Sequence, residues 1–467
     1  MRIIIVGAGK VGFKLAEMLS QMEHEVVMVD EDRVRCQVVE KQLDVQTVCG
    51  QATSPQLLRE IGAPQTDLLV AVTGDDETNL VIGTIAKQLG VGKVVARVSN
   101  PDYLPEDGLN LGANLGIDLL INPEQVTAAA IAKLLQFPEA EGVEYCAGGR
   151  IQLLELTLTA RTPVINRKLR DLPPNPPYLI VGIIRGDRVI IPRGQDELLA
   201  GDRVFVLAPS RQMEQVEHFF GQRHRRTQNV MVVGGTGTAH YLAKELAGRH
   251  IELKIIDKDL EQCEAFTEKF PSATVIHGDG TDVKLMEEEG VDRADLFAAL
   301  TPDDKVNLLV CLLAKTLGAK KVLAQVRRSD YAHLMQKVGV DVVVSPRLLT
   351  AAQILQFIHY NQIAFLSFVG QDKAEMIEFL VTSRCPLVGK PLKEAGLPRN
   401  TIIGAIVRGE EVLIPRGKDA LLAGDHAVVL ALPDAVPTLE RIFCLEGSRG
   451  HGLPYPGQYT GKSLYYR

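Results

Sequence analysis

The stretch Ile3-Ile4-Ile5-Val6-Gly7-Ala8-Gly9-Lys10-Val11-Gly12 decides the fold. Its apolar residues predict a buried strand, its glycines fit the pattern G-x-G-x-x-G, and a helical pattern follows at once. Asp30 ends the next apolar run, residues 26–29, at the spacing expected of an acid that accepts hydrogen bonds from an adenosine ribose. Strand, glycine turn, helix and acid together predict a site for a dinucleotide or an adenine nucleotide.

The first 135 residues alternate short apolar runs with helical patterns, which predicts a parallel, doubly wound sheet. We expect a ligand at the carboxyl ends of the first and fourth strands, where the strand order reverses. The predicted strands lie near 2–6, 25–30, 45–49, 67–73, 93–98 and 117–121. The predicted helices lie near 10–21, 31–42, 54–60, 76–89 and 101–112, and a last one begins at Asn122-Pro123.

The remaining chain contains a module of a different kind and then a repeat of both parts. Residues 140–220 change to extended segments with turn signals, which predicts a small α+β module. From Asn229 the first pattern starts again, and Asp257 takes the place of Asp30. Other matching segments are 67–80 with 295–308, 189–194 with 412–417, and 198–202 with 421–425.

The repeats predict an α/β fold of two Rossmann-like, doubly wound parallel-sheet domains, each followed by a small α+β domain in the order A-B-A′-B′. Duplication of a two-domain unit is the most informative feature after the glycine loop. The predicted domains are 1–137, 140–221, 229–358 and 365–445, with a linker over 222–228 and a disordered tail over 446–467.

Composition excludes several classes of protein. A formal charge of −7 and the absence of Trp argue against wrapping nucleic acid or stacking bases, so we predict no nucleic-acid partner. No run reaches the ~20 apolar residues of a membrane helix, so a role at a membrane requires a partner. The seven scattered Cys are typical of core residues in a reducing cytosol, and no metal site is predicted.

The first predicted site is built around the glycine loop. Gly7 permits the tight turn, Gly9 lets the backbone approach phosphates, and Gly12 lets the helix pack closely on the sheet. Asp30 accepts hydrogen bonds from ribose hydroxyls and repels a 2′-phosphate. This favours NAD(H) or ADP/ATP over NADP(H).

Polar groups after the fourth and fifth strands face this loop in the predicted fold. Thr73 and Gly74 can reach a phosphate or the nicotinamide side, whereas Asp75 and Asp76 suit helix capping better than metal binding or catalysis. Arg97 is a candidate contact to a phosphate or to a ligand across a subunit interface. A solvated arginine is an equally good interpretation.

The second loop, Gly234-Gly235-Thr236-Gly237-Thr238-Ala239, is altered. Thr236 and Ala239 replace the second and third glycines of the motif, and Gly237 restores some freedom one position later. Asp257 is retained. We predict a second nucleotide site, with an empty structural copy as the alternative.

The sequence offers no obvious catalytic apparatus. A dehydrogenase needs an acid or base beside the nicotinamide, and the ten His are scattered. His240 and His277 correspond to Phe13 and Cys49 in the first copy. We therefore predict no catalytic residue and no enzyme. The alternatives are an NAD-dependent oxidoreductase with duplicated cofactor domains and a nucleotide-sensing scaffold for another partner.

Several of these motifs together resemble a known family. The stretch through Asp30, the block 67–79 and the Pro-Glu-Gln run at 123–125 resemble RCK domains, which regulate potassium pathways and are also called KTN or TrkA-N domains. The β-rich modules, with a Gly-Asp pair near their ends, resemble TrkA-C domains. The alternating order of the four domains over residues 1–445 resembles the regulatory subunits of Trk-type potassium-uptake systems.

This resemblance implies a non-enzymatic subunit, peripheral on the cytoplasmic face of the inner (plasma) membrane, that gates a TrkH/TrkG-type potassium-translocating subunit. It implies a homo-oligomeric ring, expected to be a tetramer, that binds NAD(H) and also ATP or ADP. The residues carried over to the first site are Gly7, Ala8, Gly9, Lys10, Val11, Asp30, Thr73, Gly74 and Arg97. Those carried over to the second are Gly234, Gly235, Thr236, Gly237, Thr238, Asp257 and Thr301.

Overall fold

The chain forms two compact units, Met1–Thr127 with Pro346–Ile358, and Ala128–Ser345 with His359–Arg467. The predicted tail and residues 222–226 of the predicted linker lie outside the described residues. The computed structural model describes residues 1–22, 24–104, 110–135, 140–173, 177–186, 188–221, 227–358, 363–369 and 373–443.

The first sheet has six parallel strands: β1 (Arg2–Val6), β2 (Glu25–Asp30), β3 (Gln46–Cys49), β4 (Leu68–Ala71), β5 (Lys93–Arg97) and β6 (Leu119–Ile121). The helices that connect and follow them are α1 (Lys10–Gln21), α2 (Arg33–Gln42), α3 (Pro55–Glu60), α4 (Asp76–Gln88), α5 (Leu111–Asn114) and α6 (Pro123–Leu134). The order is β3-β2-β1-β4-β5-β6, so it reverses between β1 and β4, as predicted. β1 and β4 are buried almost throughout, as strands are when helices cover both faces of a sheet.

One predicted helix, 101–112, is wrong. The structure has a 3-10 turn at Pro101–Tyr103 and only the short α5 after it, and residues 105–109 lie outside the described ranges. Pro105 and Gly108 stand inside the predicted span. Leu104 is extended, as a residue before a proline usually is, so the helix does not continue past the turn.

The second sheet is antiparallel and is formed by β7 (Gly142–Cys146), β8 (Ile151–Thr157), β9 (Leu179–Arg185), β10 (Arg188–Ile190) and β11 (Arg203–Pro209). Helix α7 (Met213–Phe219) follows it. The strand order is β10-β9-β11-β8-β7. This is the small α+β module that the change in pattern predicts.

The third sheet repeats the first with β12 (Asn229–Val233), β13 (Glu252–Asp257), β14 (Thr274–His277), β15 (Leu296–Ala299), β16 (Val322–Gln325) and β17 (Val342–Val344). The helices in this stretch of the chain are α8 (Gly237–Leu246), α9 (Leu260–Lys269), α10 (Val283–Glu288), α11 (Asp304–Thr316), α12 (Ser329–Lys337) and α13 (Pro346–Ile358). The order β14-β13-β12-β15-β16-β17 has the same reversal, between β12 and β15.

The fourth sheet repeats the second with β18 (Ile363–Val369), β19 (Ala374–Leu380), β20 (Thr401–Arg408), β21 (Glu411–Leu413) and β22 (His426–Ala431), followed by α14 (Val436–Phe443). Its order, β18-β19-β22-β20-β21, matches that of the second sheet strand for strand. The A-B-A′-B′ architecture is therefore confirmed.

The two antiparallel modules share one hydrophobic core, which includes Phe205 of the first and Met376 of the second. Glycines permit this close approach of the two sheets. A Cβ on Gly182 would lie 2.9 Å from Leu430, and a Cβ on Gly404 would lie 2.7 Å from Val181. The two modules therefore pack as a pair.

Helix α13 ends the second repeat in the sequence, but it belongs to the compact unit that holds the first sheet. There it packs against α1, and the Lys93 ammonium lies 5.0 Å from the centre of the Phe357 ring. Ala351, Ile354 and Leu355 are buried. The apolar face of α13 thus completes the first unit.

Each antiparallel module contains the same ion pair between an arginine and a buried aspartate, which explains the repeated Gly-Asp motif. Arg185 donates to both carboxylate oxygens of Asp202, at 2.8 and 2.7 Å, and Arg408 does the same to Asp425, at 2.9 and 2.8 Å. The backbone N–H of Leu199 also donates to Asp202, at 2.8 Å. Both aspartates are 1% exposed, so each carboxylate depends on these donors.

We expect Asp202→Ala to lower the free energy of unfolding of its module by about 2 kcal/mol, because it removes charge-assisted hydrogen bonds from a buried position. Denaturant or thermal unfolding measures this loss. The control is Asp171→Ala, since Asp171 is exposed and its ion pair with Arg170 contributes little. Equal losses in the two variants would contradict this role of the pair.

Candidate nucleotide-binding sites

The glycine turn after β1 has the geometry that the motif predicts. Gly7 has φ of +105°, and a Cβ there would lie 2.9 Å from the backbone nitrogen of Thr73. A Cβ on Gly12 would overlap the carbonyl oxygen of Gly7. Only glycine therefore allows the start of α1 to lie this close to the turn and to the end of β4.

The first turn of α1 is left without a side-chain cap. Gly9 stands at the N-cap and offers no acceptor, so the helix N–H groups are available to an anion. A Cβ on Gly9 would meet nothing within 4 Å, which leaves room for a phosphate to approach the backbone. The other helices of this sheet are capped by the side chains of Asp32, Ser54, Asp75, Asn110 and Asn122.

The Asp30 carboxylate connects the end of β2 to the glycine turn. One oxygen accepts from the backbone N–H of Ala8 at 2.6 Å, and the other accepts from that of Asp32 at 2.9 Å. Asp30 is 6% exposed, and Arg35 lies 3.8 Å away. Each carboxylate oxygen retains a lone pair after these bonds, so Asp30 fits the ribose-binding role.

Across the reversal of strand order, a buried asparagine organises the ends of β4 and β5. The side-chain oxygen of Asn79 accepts from the backbone N–H and the hydroxyl of Thr73, at 2.9 and 2.7 Å. Its amide nitrogen donates to the carbonyl of Arg97 at 3.0 Å. The Thr73 hydroxyl is thus engaged within the protein, which leaves the adjoining exposed backbone at Gly74 to face a ligand.

The side chain of Arg97 lies across the ends of β4 and β5. Its guanidinium donates to the carbonyl of Thr73 at 3.0 Å and to the hydroxyl of Ser99 at 2.8 Å. Among the described residues, the buried Nε of Arg97 has no hydrogen-bond partner. Arg97 thus brings a positive charge to this edge, which suits an anionic ligand such as a phosphate.

The second copy reproduces this framework. Gly234 has φ of +107°, and Asp257 accepts from the backbone N–H of Gly235. Asn307 accepts from the backbone N–H and the hydroxyl of Thr301, at 3.0 and 2.6 Å. The loop, the acid and the opposite edge are therefore all present at the second site.

Two differences mark the second site. The hydroxyl of Thr236 turns to the carbonyl of Leu300, at 3.1 Å, and does not cap α8. The buried hydroxyl of Thr238 donates to the side chain of Gln325 at 3.1 Å, where the first copy has Val11 and Arg97. The second site has therefore exchanged a cation for a neutral, hydrogen-bonded amide at its edge.

Sequence reasoning missed the residues that hold these edges in place. Asn79 and Asn307 lie in the repeated block without an assigned role. Asp75 caps α4 as predicted, but Asp76, which was predicted to share that role, accepts instead from the backbone N–H groups of Ser99 and Asn100, both at 2.7 Å. Asp304 occupies the same place in the second copy. These polar residues recur at the same spacing in both copies, and this recurrence could have indicated their structural role from the sequence.

No group of three or more described His, Cys, Asp or Glu side chains is placed to hold a metal ion. None of the helices in the described part of the chain has the length and hydropathy of a membrane span. Lys10 is exposed at the first residue of α1, where its charge can meet an anion.

Two Rossmann-type sheets, each with a nucleotide-type loop and an antiparallel module, define a class of duplicated nucleotide-binding proteins. The family model of the TrkA-N domain matches residues 3–123 and 230–346, and that of the TrkA-C domain matches 153–221 and 376–443. The chain belongs to the family of the Trk system potassium uptake protein TrkA.

Curated relatives cover almost the whole chain. A Trk system potassium uptake protein TrkA homolog 2 of Methanosarcina mazei is 34% identical over 451 residues, which are 95% of this chain and 100% of that protein. The Trk system potassium uptake protein TrkA of Halomonas elongata is 35% identical over 95% of this chain and 98% of its own length.

Solved structures share the fold. The GsuK RCK domain matches with a TM-score of 0.60 and 18% identity, covering 95% of each chain. A structure described as the GsuK channel bound to NAD matches with a TM-score of 0.59 and 17% identity, covering 95% of this chain and 79% of that one. At these identities the likeness concerns the fold alone.

The two copies provide a matched test of the close contact at the glycine turn. We expect Gly12→Ala to weaken nucleotide binding at the first site at least tenfold, because the new methyl group displaces α1 from the Gly7 carbonyl. Calorimetric titration with NADH and with ATP measures the change. The control is Ala239→Gly at the equivalent position, which adds no atoms. Unchanged binding by Gly12→Ala would contradict the assigned packing.

Proposed function

We propose that this protein is a nucleotide-sensing regulatory subunit of a Trk-type potassium-uptake system and is not an enzyme. The observation that carries the proposal is the pair of glycine loops, each joined to an acid at the end of the second strand of its sheet. Membership of the TrkA family indicates which transport system the protein would regulate. The protein works at the cytoplasmic face of the membrane and gates a TrkH/TrkG-type potassium-translocating partner.

NAD(H) and adenine nucleotides are the proposed ligands. The uncapped N-terminus of α1 suits a pyrophosphate, and Asp30 suits an unmodified ribose. GsuK structures are described as bound to NAD and to ADP, which supports the same ligand class for this fold. The first site would use Gly7 to Val11, Asp30, Gly74 and Arg97.

The two sites are proposed to differ in ligand preference. Arg97 brings a positive charge to the edge of the first site, whereas Gln325 is neutral and already bonded to Thr238. A ligand that carries more phosphate charge is therefore favoured at the first site. Two unlike sites on one chain can report a balance between two nucleotides.

Binding regulates transport only if a nucleotide prefers one conformation of the assembly over another. We propose a homo-oligomeric ring, a tetramer, as that assembly. A coupling of 1–3 kcal/mol, typical of allosteric proteins, would change the ratio of open to closed assemblies by about 5- to 150-fold.

We expect Asp30→Ala to lower the affinity of the first site for NADH about 10- to 100-fold, the range that matches loss of charge-assisted bonds of about 1.5–3 kcal/mol. Isothermal titration calorimetry measures this. Asp257→Ala tests the second site in the same way, and the exposed Asp44 supplies a control variant, Asp44→Ala. Failure of the parent protein to bind any of these nucleotides at millimolar concentration would refute the proposal.

Two further measurements separate the proposal from its alternatives. Purification from solubilised membranes should recover a potassium-translocating protein, and its absence would favour a scaffold for another partner. Steady oxidation of NADH by the purified protein with cell extract would instead favour an oxidoreductase.

A further inference from the structure

Two cysteine thiols converge beside the acid of the first site. Cys36 lies on α2, and its Sγ donates to the carbonyl of Asp30 at 3.4 Å. Cys49 ends β3, and its Sγ donates to the carbonyl of Glu31 at 3.7 Å. Cys49 also pairs with Asp30 in the register of β2 and β3. Both thiols therefore lie against the same turn, the one that carries the Asp30 carboxylate.

The two thiols differ in exposure. Cys36 is 3% exposed, whereas Cys49 is exposed to solvent. Burial, followed by the neighbouring Cys49 thiol, raises the pKa of the Cys36 thiol to about 11. Cys36 therefore stays protonated at neutral pH, and Cys49 is the thiol that an oxidant can reach. An accessible thiol beside a resolving thiol is the usual arrangement of redox-sensing cysteines.

We propose that Cys36 and Cys49 form a reversible disulfide that weakens nucleotide binding at the first site. The disulfide step stands on the geometry of the two thiols, and its effect on binding rests on the proposed function. The oxidant is a peroxide, for which hydrogen peroxide is the probe, and the reductant is a dithiol.

The chemistry proceeds in two balanced steps. The Cys49 thiolate attacks one oxygen of hydrogen peroxide, the O–O bond breaks, and hydroxide leaves, which gives a sulfenic acid at Cys49. The sulfur of Cys36 then attacks the Cys49 sulfur and loses its proton, the S–O bond breaks, and water leaves. The two sulfurs have supplied two electrons, and a dithiol returns them by thiol–disulfide exchange.

The disulfide changes the turn because it removes two donors. In the reduced protein each S–H group donates to a backbone carbonyl, one at Asp30 and one at Glu31. The disulfide has neither hydrogen, so the turn that aims the Asp30 carboxylate at the ribose loses both bonds. A loss of tenfold or more in affinity at the first site follows.

The second copy lacks the partner thiol. Cys263 repeats Cys36, with its Sγ 3.5 Å from the carbonyl of Asp257. His277 stands where Cys49 stands, and its Nε2 lies 3.1 Å from the carbonyl of Lys258. The same turn is held there by an imidazole, which forms no disulfide, so peroxide is expected to affect only the first site.

The first experiment detects the bond in the full chain. Cys444→Ser serves as the parent, because Cys444 lies outside the described residues. The folded protein is treated with hydrogen peroxide, free thiols are alkylated, and a tryptic digest is analysed without reduction. Cleavage after Lys41 separates residues 36–41 from 42–59, so the disulfide joins two distinct peptides. We expect this cross-linked pair, and its absence would overturn the proposal.

The second experiment measures NADH affinity of the reduced, oxidised and re-reduced parent by calorimetry. We expect a loss of tenfold or more on oxidation and recovery with dithiothreitol. Cys49→Ser should form no cross-link and should bind equally before and after peroxide, which controls for oxidation elsewhere. Cys263→Ser is the matched control and should behave like the parent.

The outcomes distinguish this inference from the proposed function. Cross-linked protein that binds NADH as well as the reduced protein would overturn the switch and leave nucleotide sensing intact. A reduced parent that binds no nucleotide would refute the proposed function, and the effect on binding with it. The cross-linked peptide is measured without nucleotide and still decides whether the disulfide forms.

Discussion

The hydrogen bond from a glycine-loop N–H to the acid at the end of the second strand is the interaction on which each half of the molecule depends. In the first copy, Asp30 bonds the backbone of Ala8 at 2.6 Å, and Asp257 bonds Gly235 in the second. The bond fixes the loop against the sheet and holds the carboxylate where a ribose is expected. The same contact therefore serves both the fold and the site.

The ends of the fourth and fifth strands of each parallel sheet form the opposite edge of the site. Side-chain hydrogen bonds hold this edge in both copies, but its charge differs between them. Asn79 and Asn307 tie the ends of two strands together in the same way. On this shared frame, the first copy carries the Arg97 guanidinium, whereas Gln325 in the second copy is neutral and is bonded to Thr238. The two copies thus share the scaffold and differ in the charge at this edge of the site.

Much of the fold follows from local patterns in the sequence. The strand order, the duplication, the glycine positions and the Asn122 and Asp75 caps were all predictable, because turns, caps and alternating elements depend on neighbouring residues. The placement of α13 in the first unit was not, since it depends on which distant apolar face accepts it. The Asn79 bonds and the meeting of Cys36 with Cys49 likewise arise only when distant strands align.

The central claim is that a nucleotide in the first site controls potassium transport by a membrane partner. Potassium flux through proteoliposomes that contain the partner, with and without this protein, tests it most directly. The account predicts that NADH or ATP changes the flux with the parent protein but has little effect, at the same concentration, with Asp30→Ala. An identical nucleotide response from both proteins would contradict it.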